Sequence, residues 1–517
     1  DLDQDGDLEI LVSSLIGEVT ILDHTGNVID GWPQATALLQ STSPNVGDID
    51  GDGLLDVVVG DNTGKIHAWE LDGTVKDGFP IQLEGTIKSV VRLVDFDNDS
   101  VAEILVHTGA SRLYLLNAEG TSLEGWPIDL EGDTDSFGSW LIASTPTVVD
   151  FDYDGELEII VGTTADEVHA YNFDGSAVEG WPIATEDWVY PSISAVDLNG
   201  DYELEVITGS GDGKLYVWES NGSPLPGFPV DIGQALIASV AVADIRDDST
   251  PELVVADFSG KVHCYSASGA LLSGWPQEAD SGIVGSPILI DVNGDGALEI
   301  VAPSQDNKIY IWNANGTRVT EINPTATDWI ESTPSAGDLD GNGMLELVYT
   351  SFDGKLYILP LDGNANSLAG AWSAFRGDSG ELSDVVAGDR DRDRLPDQLE
   401  FTMFGTLDES AESDSDGDGQ TNLNEWTAGT DLTNASDRFE VALDIQTTID
   451  GHQLKFTWHG RANRSYQIMS SSELSKENAA QPLGDPISCD SDELIEAFSS
   501  ISLENRRCFY HVVVDRD

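Results

Sequence analysis

An acidic nonapeptide, Asp-x-Asp-x-Asp-Gly-x-x-Glu/Asp, recurs through this chain of 517 residues, beginning at Asp1, Asp48, Asp95, Asp150, Asp197, Asp244, Asp291 and Asp338. Carboxylates at alternate positions of a tight loop suit the coordination of a hard divalent cation such as Ca²⁺, which takes six to eight oxygens. Gly at position six permits the sharp turn, position seven offers a carbonyl, and position nine closes the site. Four sets carry only acids: Asp1, Asp3, Asp5, Glu9; Asp48, Asp50, Asp52, Asp56; Asp95, Asp97, Asp99, Glu103; and Asp150, Asp152, Asp154, Glu158. Three sets contain one Asn, a neutral oxygen ligand: Asp197, Asn199, Asp201, Glu205; Asp291, Asn293, Asp295, Glu299; and Asp338, Asp340, Asn342, Glu346. The sixth loop departs from the pattern, with Arg246 at position three and Ser249 at position six. Its guanidinium can pair with Asp244, Asp248 or Glu252 and so replace a metal there. Seven ions are therefore expected in these eight loops, because carboxylates this close repel one another unless a cation lies between them.

A second acidic region follows. Asp389, Asp391, Asp393, Asp397 and Glu400 form one cluster, and Asp414, Asp416, Asp418, Asn422 and Glu425 form another. The second fits an EF-hand-type loop, with oxygens at positions one, three, five and twelve and Gly419 at position six. The first keeps the oxygens but has Arg394 where Gly is wanted. About two further Ca²⁺ ions are expected here.

The elements that position these loops are legible from spacing. The loops stand 47 residues apart, except for one interval of 55 between Asp95 and Asp150. Each is followed by an apolar run such as Leu157-Glu158-Ile159-Ile160-Val161-Gly162, then an alternating run such as Lys214-Leu215-Tyr216-Val217-Trp218. An Asp-Gly or Asn-Gly turn comes next, and the unit ends in Gly-Trp-Pro or Gly-Phe-Pro, as at Trp32, Phe79, Trp126, Trp181, Phe228 and Trp275. A further short strand leads into the next loop. Four short strands per repeat predict an all-β chain whose first 380 residues form an eight-bladed β-propeller. The first blade starts at its loop and lacks a leading strand, which upstream residues or a strand from elsewhere would supply. Residues 381–437 read as a tandem calcium-loop spacer and residues 438–517 as a small β-sandwich with alternating strands.

On these motifs the repeats resemble the FG-GAP/VCBS type of calcium-binding β-propeller, a group that includes the integrin α-chain head. The resemblance implies calcium between the first and second strands of each blade, on the face opposite the usual ligand surface. The later tandem resembles thrombospondin type 3 or dockerin-like calcium repeats. The former implies a calcium-stiffened spacer, and the latter a protein receptor.

Composition narrows the function. Lys and Arg number 23 against 94 Asp and Glu, a formal net charge of −71. That excludes a phosphate-backbone binder and argues against docking on an anionic membrane. No stretch has the eighteen or more apolar residues of a membrane span, and no signal peptide is visible. Three Cys do not make a disulfide scaffold. Cys264 reads as a core thiol, while Cys489 and Cys508 are either bridged or two separate thiols.

No catalytic set emerges. His67, His169 and His263 share a repeat position with Tyr114, Tyr216, Tyr310 and Tyr357, which marks them as structural. Trp188 and Trp329 each stand nine residues before a loop, and Trp140 ten before. With Asp187 and Asp328 they form candidates for a ligand face suited to a sugar or peptide, the alternative being packing between blades. The expected function is non-catalytic: a secreted or cell-surface, calcium-stabilised adhesion or assembly protein whose partner is a carbohydrate or a protein. A polysaccharide-active, lyase-like enzyme and a self-associating filament subunit are the rival readings.

Overall fold

The structure is a computed structural model, and it divides into two compact units, Asp1–Gly388 and Asp389–Asp517. In the first unit the described residues are 2, 6–37, 42–97, 99, 101–130, 144–151, 156–201, 203–248, 250–320 and 324–365. In the second they are 403–404, 413–417, 420–428, 430, 432–434 and seven strands between 442 and 516.

The first unit is an eight-bladed β-propeller. Its eight sheets are antiparallel meanders in which strands adjacent in sequence pair with one another. The fifth blade is typical: Ser194–Val196, Glu205–Gly209, Lys214–Trp218 and Val230–Asp231. The register sets Ala195 opposite Val206, Thr208 opposite Tyr216, and Leu215 opposite Val230. The second strand is buried along its whole length in blades two to seven, as in Asp56–Gly60 and Glu252–Ala256. A strand covered on both faces reads as a continuous apolar run, which is why these segments do not alternate.

The first blade has three described strands, Ile10–Ser13, Glu18–Leu22 and Gln34–Ala35. It closes the ring against the eighth, where the Leu8 amide donates to the Leu339 carbonyl at 2.9 Å. A similar link joins blades two and three, where Ala102 N donates to the carbonyl of Asp48, one position earlier in its loop, at 2.8 Å. In the seventh blade the outer strand is reduced to a bridge between Lys308 and Thr325.

The Gly-Trp-Pro tryptophans lock each blade to the next. The indole N–H groups of Trp32, Trp126, Trp181 and Trp275 donate to the carbonyls of Leu71, Phe173, Ser220 and Ala314, at 2.8–2.9 Å. Three of these rings also meet the next blade's tryptophan edge-on: Trp32 with Trp69, Trp181 with Trp218, and Trp275 with Trp312. The aromatic body fills the wedge between sheets and its polar tip finds an acceptor. Phe79 and Phe228 fill the same place without a donor.

The leading strands meet around the axis. Here a second device appears, for which the sequence pattern gave no expectation. From the third blade to the seventh, the residue five before the loop gives its amide N–H to the side-chain hydroxyl of its counterpart in the next blade. The series runs Val90 to Thr145 (3.1 Å), Thr145 to Ser192 (3.3 Å), Ser192 to Ser239 (3.1 Å), Ser239 to Ser286 (3.0 Å) and Ser286 to Thr333 (2.9 Å).

In the second unit, one sheet pairs Ala442–Thr448 with Gly451–Gly460 and the latter with Glu493–Ser500. Another centres on Arg464–Ser471, flanked by Ile487–Cys489 and Phe509–Arg516. Packing of these sheets into a sandwich, and the partner of Cys489, rest on residues outside the described ones. No helix among the described residues is long and apolar enough to cross a membrane.

Candidate metal centres

Every acidic loop is built on one shared bond. The carboxylate at position nine turns back and accepts the amide N–H of position two in all eight loops. The pairs are Glu9 with Leu2 (2.6 Å), Asp56 with Ile49 (3.3 Å), Glu103 with Phe96 (2.9 Å) and Glu158 with Phe151 (3.1 Å). They continue with Glu205 and Leu198 (2.7 Å), Glu252 and Ile245 (3.1 Å), Glu299 and Val292 (3.0 Å), and Glu346 and Leu339 (2.9 Å). Position nine opens the buried second strand in most blades, so its side chain is drawn inward beneath the loop.

Position one organises the turn above it. Asp48 accepts from Gly51 N and Gly53 N, both at 2.7 Å, and Asp291 accepts from Gly294 N and Gly296 N at 2.7 and 3.0 Å. Gly51 and Gly53 have φ of 75° and 83°, so the turn needs residues without a Cβ at both places. Position five then caps its own turn, as Asp52 does for Leu54 N and Asp295 for Ala297 N.

Three loops gather carboxylate oxygens into one spot. Ligand atoms of Asp48, Asp50 and Asp56 lie within 4.8 Å of one another, as do those of Asp95, Asp97 and Asp99, and those of Asp338, Asp340 and Glu346. In loop eight the Asp338 Oδ1 is buried and has no hydrogen-bond partner. A buried anionic oxygen left without a donor is costly, and a hard cation beside it removes that cost. Loop eight therefore fits a divalent ion.

Loops five and seven are arranged differently. Asn199 and Asn293 turn their amide NH₂ into the pocket, onto Glu205 Oε1 (2.8 Å) and Glu299 Oε1 (3.0 Å). Their amide oxygens accept the position-five N–H groups at 2.9 Å. An ion in these loops requires each amide to present oxygen instead of nitrogen.

Burial and crowding act on the ninth position. Burial, then the neighbouring Asp carboxylates, push Glu103 and Glu299 up to about 7 and Glu205 up to about 8. Glu346 is raised for the same reasons. A dication would reverse this by favouring the ionised form.

Among the described residues, a lysine or arginine enters two of the loops. In loop six, Arg246 Nε donates to Glu252 Oε1 at 2.7 Å, and Nη2 lies 2.6 Å from the same oxygen and 3.1 Å from Asp248. This is the pairing expected from the sequence, with Glu252 as its centre. In loop two, Lys76 Nζ lies 2.5 Å from Asp50, 3.0 Å from Asp56 and 3.1 Å from Glu70. Burial works to lower the Lys76 pKa, but hydrogen bonds to these carboxylates outweigh it and raise it. The loop motif alone does not point to Lys76, which stands 26 residues from Asp50.

The remaining candidates divide by position. Asp1, Asp3, Asp5, Asp152 and Asp154 lie outside the described residues, as do Asp389, Asp391, Asp393, Asp397, Glu400 and Asp418. In the second tandem loop, Asp414 accepts Gly417 N at 2.8 Å and Asn422 Oδ1 accepts Ser415 N at 3.2 Å. Asn422 and Glu425 are buried on the helix Asn422–Ala428, beside the loop.

The His/Tyr repeat position is structural. His67 and His263 bond Asp61 and Asp257 at 2.8 and 3.0 Å, and the hydroxyls of Tyr216, Tyr310 and Tyr357 donate to Asp212, Asp306 and Asp353 at 2.6–2.8 Å. Cys264 is fully buried, and burial raises its thiol pKa.

The tryptophan candidates part company. Trp140 lies outside the described residues. Trp188 and Trp329 share a local frame, each donating its backbone N–H to the carboxylate of the preceding Asp (Asp187 or Asp328) at 2.9 Å. Each carbonyl also accepts an amide from the turn after the second strand, Gly211 N or Phe352 N. Trp188 is half-buried over Gly211 and meets Tyr190 at 4.5 Å. Trp329 is 50% exposed and stands edge-on to Phe352, itself 42% exposed. Phe258 occupies the equivalent turn of blade six and is also exposed. These groups sit at the end of the blades opposite the acidic loops.

Comparison with known proteins agrees with the repeat. Residues 1–59, 48–106 and 291–349 match the FG-GAP-like repeat, each match running from one acidic loop through the next. No curated protein matches the chain. Among solved structures it is similar to Saccharomyces cerevisiae Sqt1, at 12% identity and a TM-score of 0.51, over 68% of this chain and 93% of that one. It also resembles BamB from Moraxella catarrhalis, at 15% identity and a TM-score of 0.49, over 69% and 96% of the two chains. A further similarity is to BBS1N, solved in complex with ARL6DN, at 16% identity and a TM-score of 0.43, over 62% and 92%. At such identities the likeness is one of fold. The chain thus carries FG-GAP-like repeats on an eight-bladed β-propeller.

Proposed function

We propose that this chain is a calcium-stabilised extracellular binding protein. Its acidic loops hold Ca²⁺ at one end of the propeller, and the opposite end presents aromatic side chains to a carbohydrate or protein partner. The observation that carries the calcium part is loop eight, where Asp338, Asp340 and Glu346 converge around a buried, unpartnered carboxylate oxygen. Asp338, Asp340, Asn342 and Glu346 would hold the ion there, and the first, third, fourth, fifth and seventh loops would act similarly through their own sets. The ion would neutralise the converging carboxylates and fix the loop between the first and second strands of its blade. The ligand face is supported by Trp329 and Phe352, two large apolar groups left exposed side by side.

The test has two parts. Chelation of the purified chain should lower its melting temperature, since an ion bound only by the fold stabilises it by mass action. An unchanged melting curve would refute the calcium assignment. Trp329→Ala should weaken binding on an array of acidic and neutral polysaccharides and extracellular-matrix proteins while leaving the melting temperature in place. Depolymerisation of a uronic-acid polysaccharide on that array would instead establish the enzymatic alternative.

A further inference from the structure

Lys76 occupies a place that is aliphatic in six other blades. Its amide donates to the third strand, Lys76 N to Ala68 O at 3.0 Å, and the same bond is made by Ile29, Leu123, Val178, Leu225, Leu272 and Val319 in their blades. Those six side chains pack into the apolar core or against its edge. Lys76 follows the same path with its buried four-carbon stem, then places its ammonium beneath loop two. Lysine can do this because its stem is apolar and only its tip is charged.

The tip meets three carboxylates. Nζ donates to Asp50 Oδ2 and makes ion pairs with Asp56 and Glu70, all within 3.1 Å. Asp50 and Asp56 are two of the three acids whose oxygens converge in this loop. A dication bound at about 2.3–2.6 Å from those oxygens would lie against the ammonium, with like charges in contact. The ammonium cannot withdraw to solvent without carrying its buried stem out of the core. Loop two therefore does not fit a divalent ion, although its sequence has all four acids.

We propose that Lys76 is the resident cation of loop two, making it a lysine-closed loop that takes no Ca²⁺ and keeps its shape when calcium is absent. The proposal uses the calcium reading of the other loops only as its reference. It leaves six propeller loops for metal, with loop six held by Arg246.

The test counts ions on the full-length chain by native mass spectrometry in calcium. Lys76→Leu, which restores the residue type of those six blades, should bind one ion more than the natural chain. Asp50→Asn in the natural chain should leave the count unchanged, while Asp340→Asn in loop eight should lower it by one. A loss of one ion on Asp50→Asn, or no gain on Lys76→Leu, would overturn the proposal. If Lys76→Leu does not fold, the Asp50→Asn count decides. A readout free of metal accompanies these: acylation of lysines, mapped by peptide mass, in calcium and in chelator. Lys76 should stay unreactive in both, with exposed Lys355 as the reactive reference. Exposure of Lys76 on adding calcium would mean that the ion displaces it and would overturn the proposal. If no form of the chain binds calcium, the calcium reading fails by itself. Acylation in chelator then decides the role of Lys76, with protection supporting it and ready modification overturning it.

Discussion

The indole of Trp188 rests against Gly211, so that a Cβ at position 211 would stand 2.3 Å from the ring's Cε2. In the eighth blade the corresponding turn residue is Phe352, and Trp329 stands edge-on to it and half exposed. The same backbone frame thus yields a sheltered tryptophan in one blade and an exposed one in another. Gly211→Ala should force Trp188 from its place, at a cost of roughly 1–3 kcal/mol typical of overpacking. Urea unfolding would measure the loss, and a red-shifted tryptophan emission would report the exposure. Unchanged stability and emission would show that the contact is soft.

Loop six offers a test of charge. Glu252 is buried, and the Arg246 guanidinium is its charge partner. Arg246→Ala should destabilise the chain by about 1–3 kcal/mol, the usual cost of leaving a buried polar group without its partner. Arg246→Asp should restore an all-acid set and add one bound Ca²⁺, with a rise in melting temperature on calcium addition larger than that of the natural chain. An ordered ion with six or more oxygen ligands in the natural loop would contradict the assignment.

The ninth-position glutamates predict a pH signature. Their folded values are raised above the ordinary 4.5, to about 7 for Glu103 and Glu299 and about 8 for Glu205. A group whose folded pKa is raised favours the fold when protonated. Its contribution is complete below about 4.5 and is lost as pH rises through 7 to 8. Metal-free protein should therefore melt at higher temperature at pH 5.5 than at pH 8. Saturating calcium should flatten or invert that slope, because the ion holds the same carboxylates ionised. Melting curves across this range, with and without calcium, would check the sign.

The axial hydroxyls predict a local effect. Ser239→Ala removes the acceptor for Ser192 N. The expected loss is about 1 kcal/mol, with faster amide exchange at Ser192 than at Ser239 itself. Equal exchange at both amides would count against the ladder.

The blades and acidic loops were legible because a 47-residue period repeats both the strand pattern and the ligand pattern. One period that recurs around the ring leaves little room for another architecture. What escaped was whatever depends on one blade differing from the rest. Lys76 is remote in sequence from Asp50, and only alignment with Ile29, Leu123 and Val178 reveals it as a charge in an aliphatic column. The fates of Trp188 and Trp329 are decided 23 residues later, at Gly211 and Phe352. The hydroxyl series was present in register at Thr145, Ser192, Ser239, Ser286 and Thr333, but Ser and Thr are common enough in short strands to pass unnoticed.

That series has a consequence for the electrostatics of the axis. Each amide points to the following blade, so the bond dipoles from the third blade to the eighth circulate in one sense instead of aligning. A helix sums its peptide dipoles into two poles that attract ions. A circulating set turns its dipoles through the arc, and its net moment lies across the axis, not along it. The series therefore adds no helix-like pole to either end of the axis. In a chain of net charge −71, the field at the two ends of the propeller is then left to the side chains placed there.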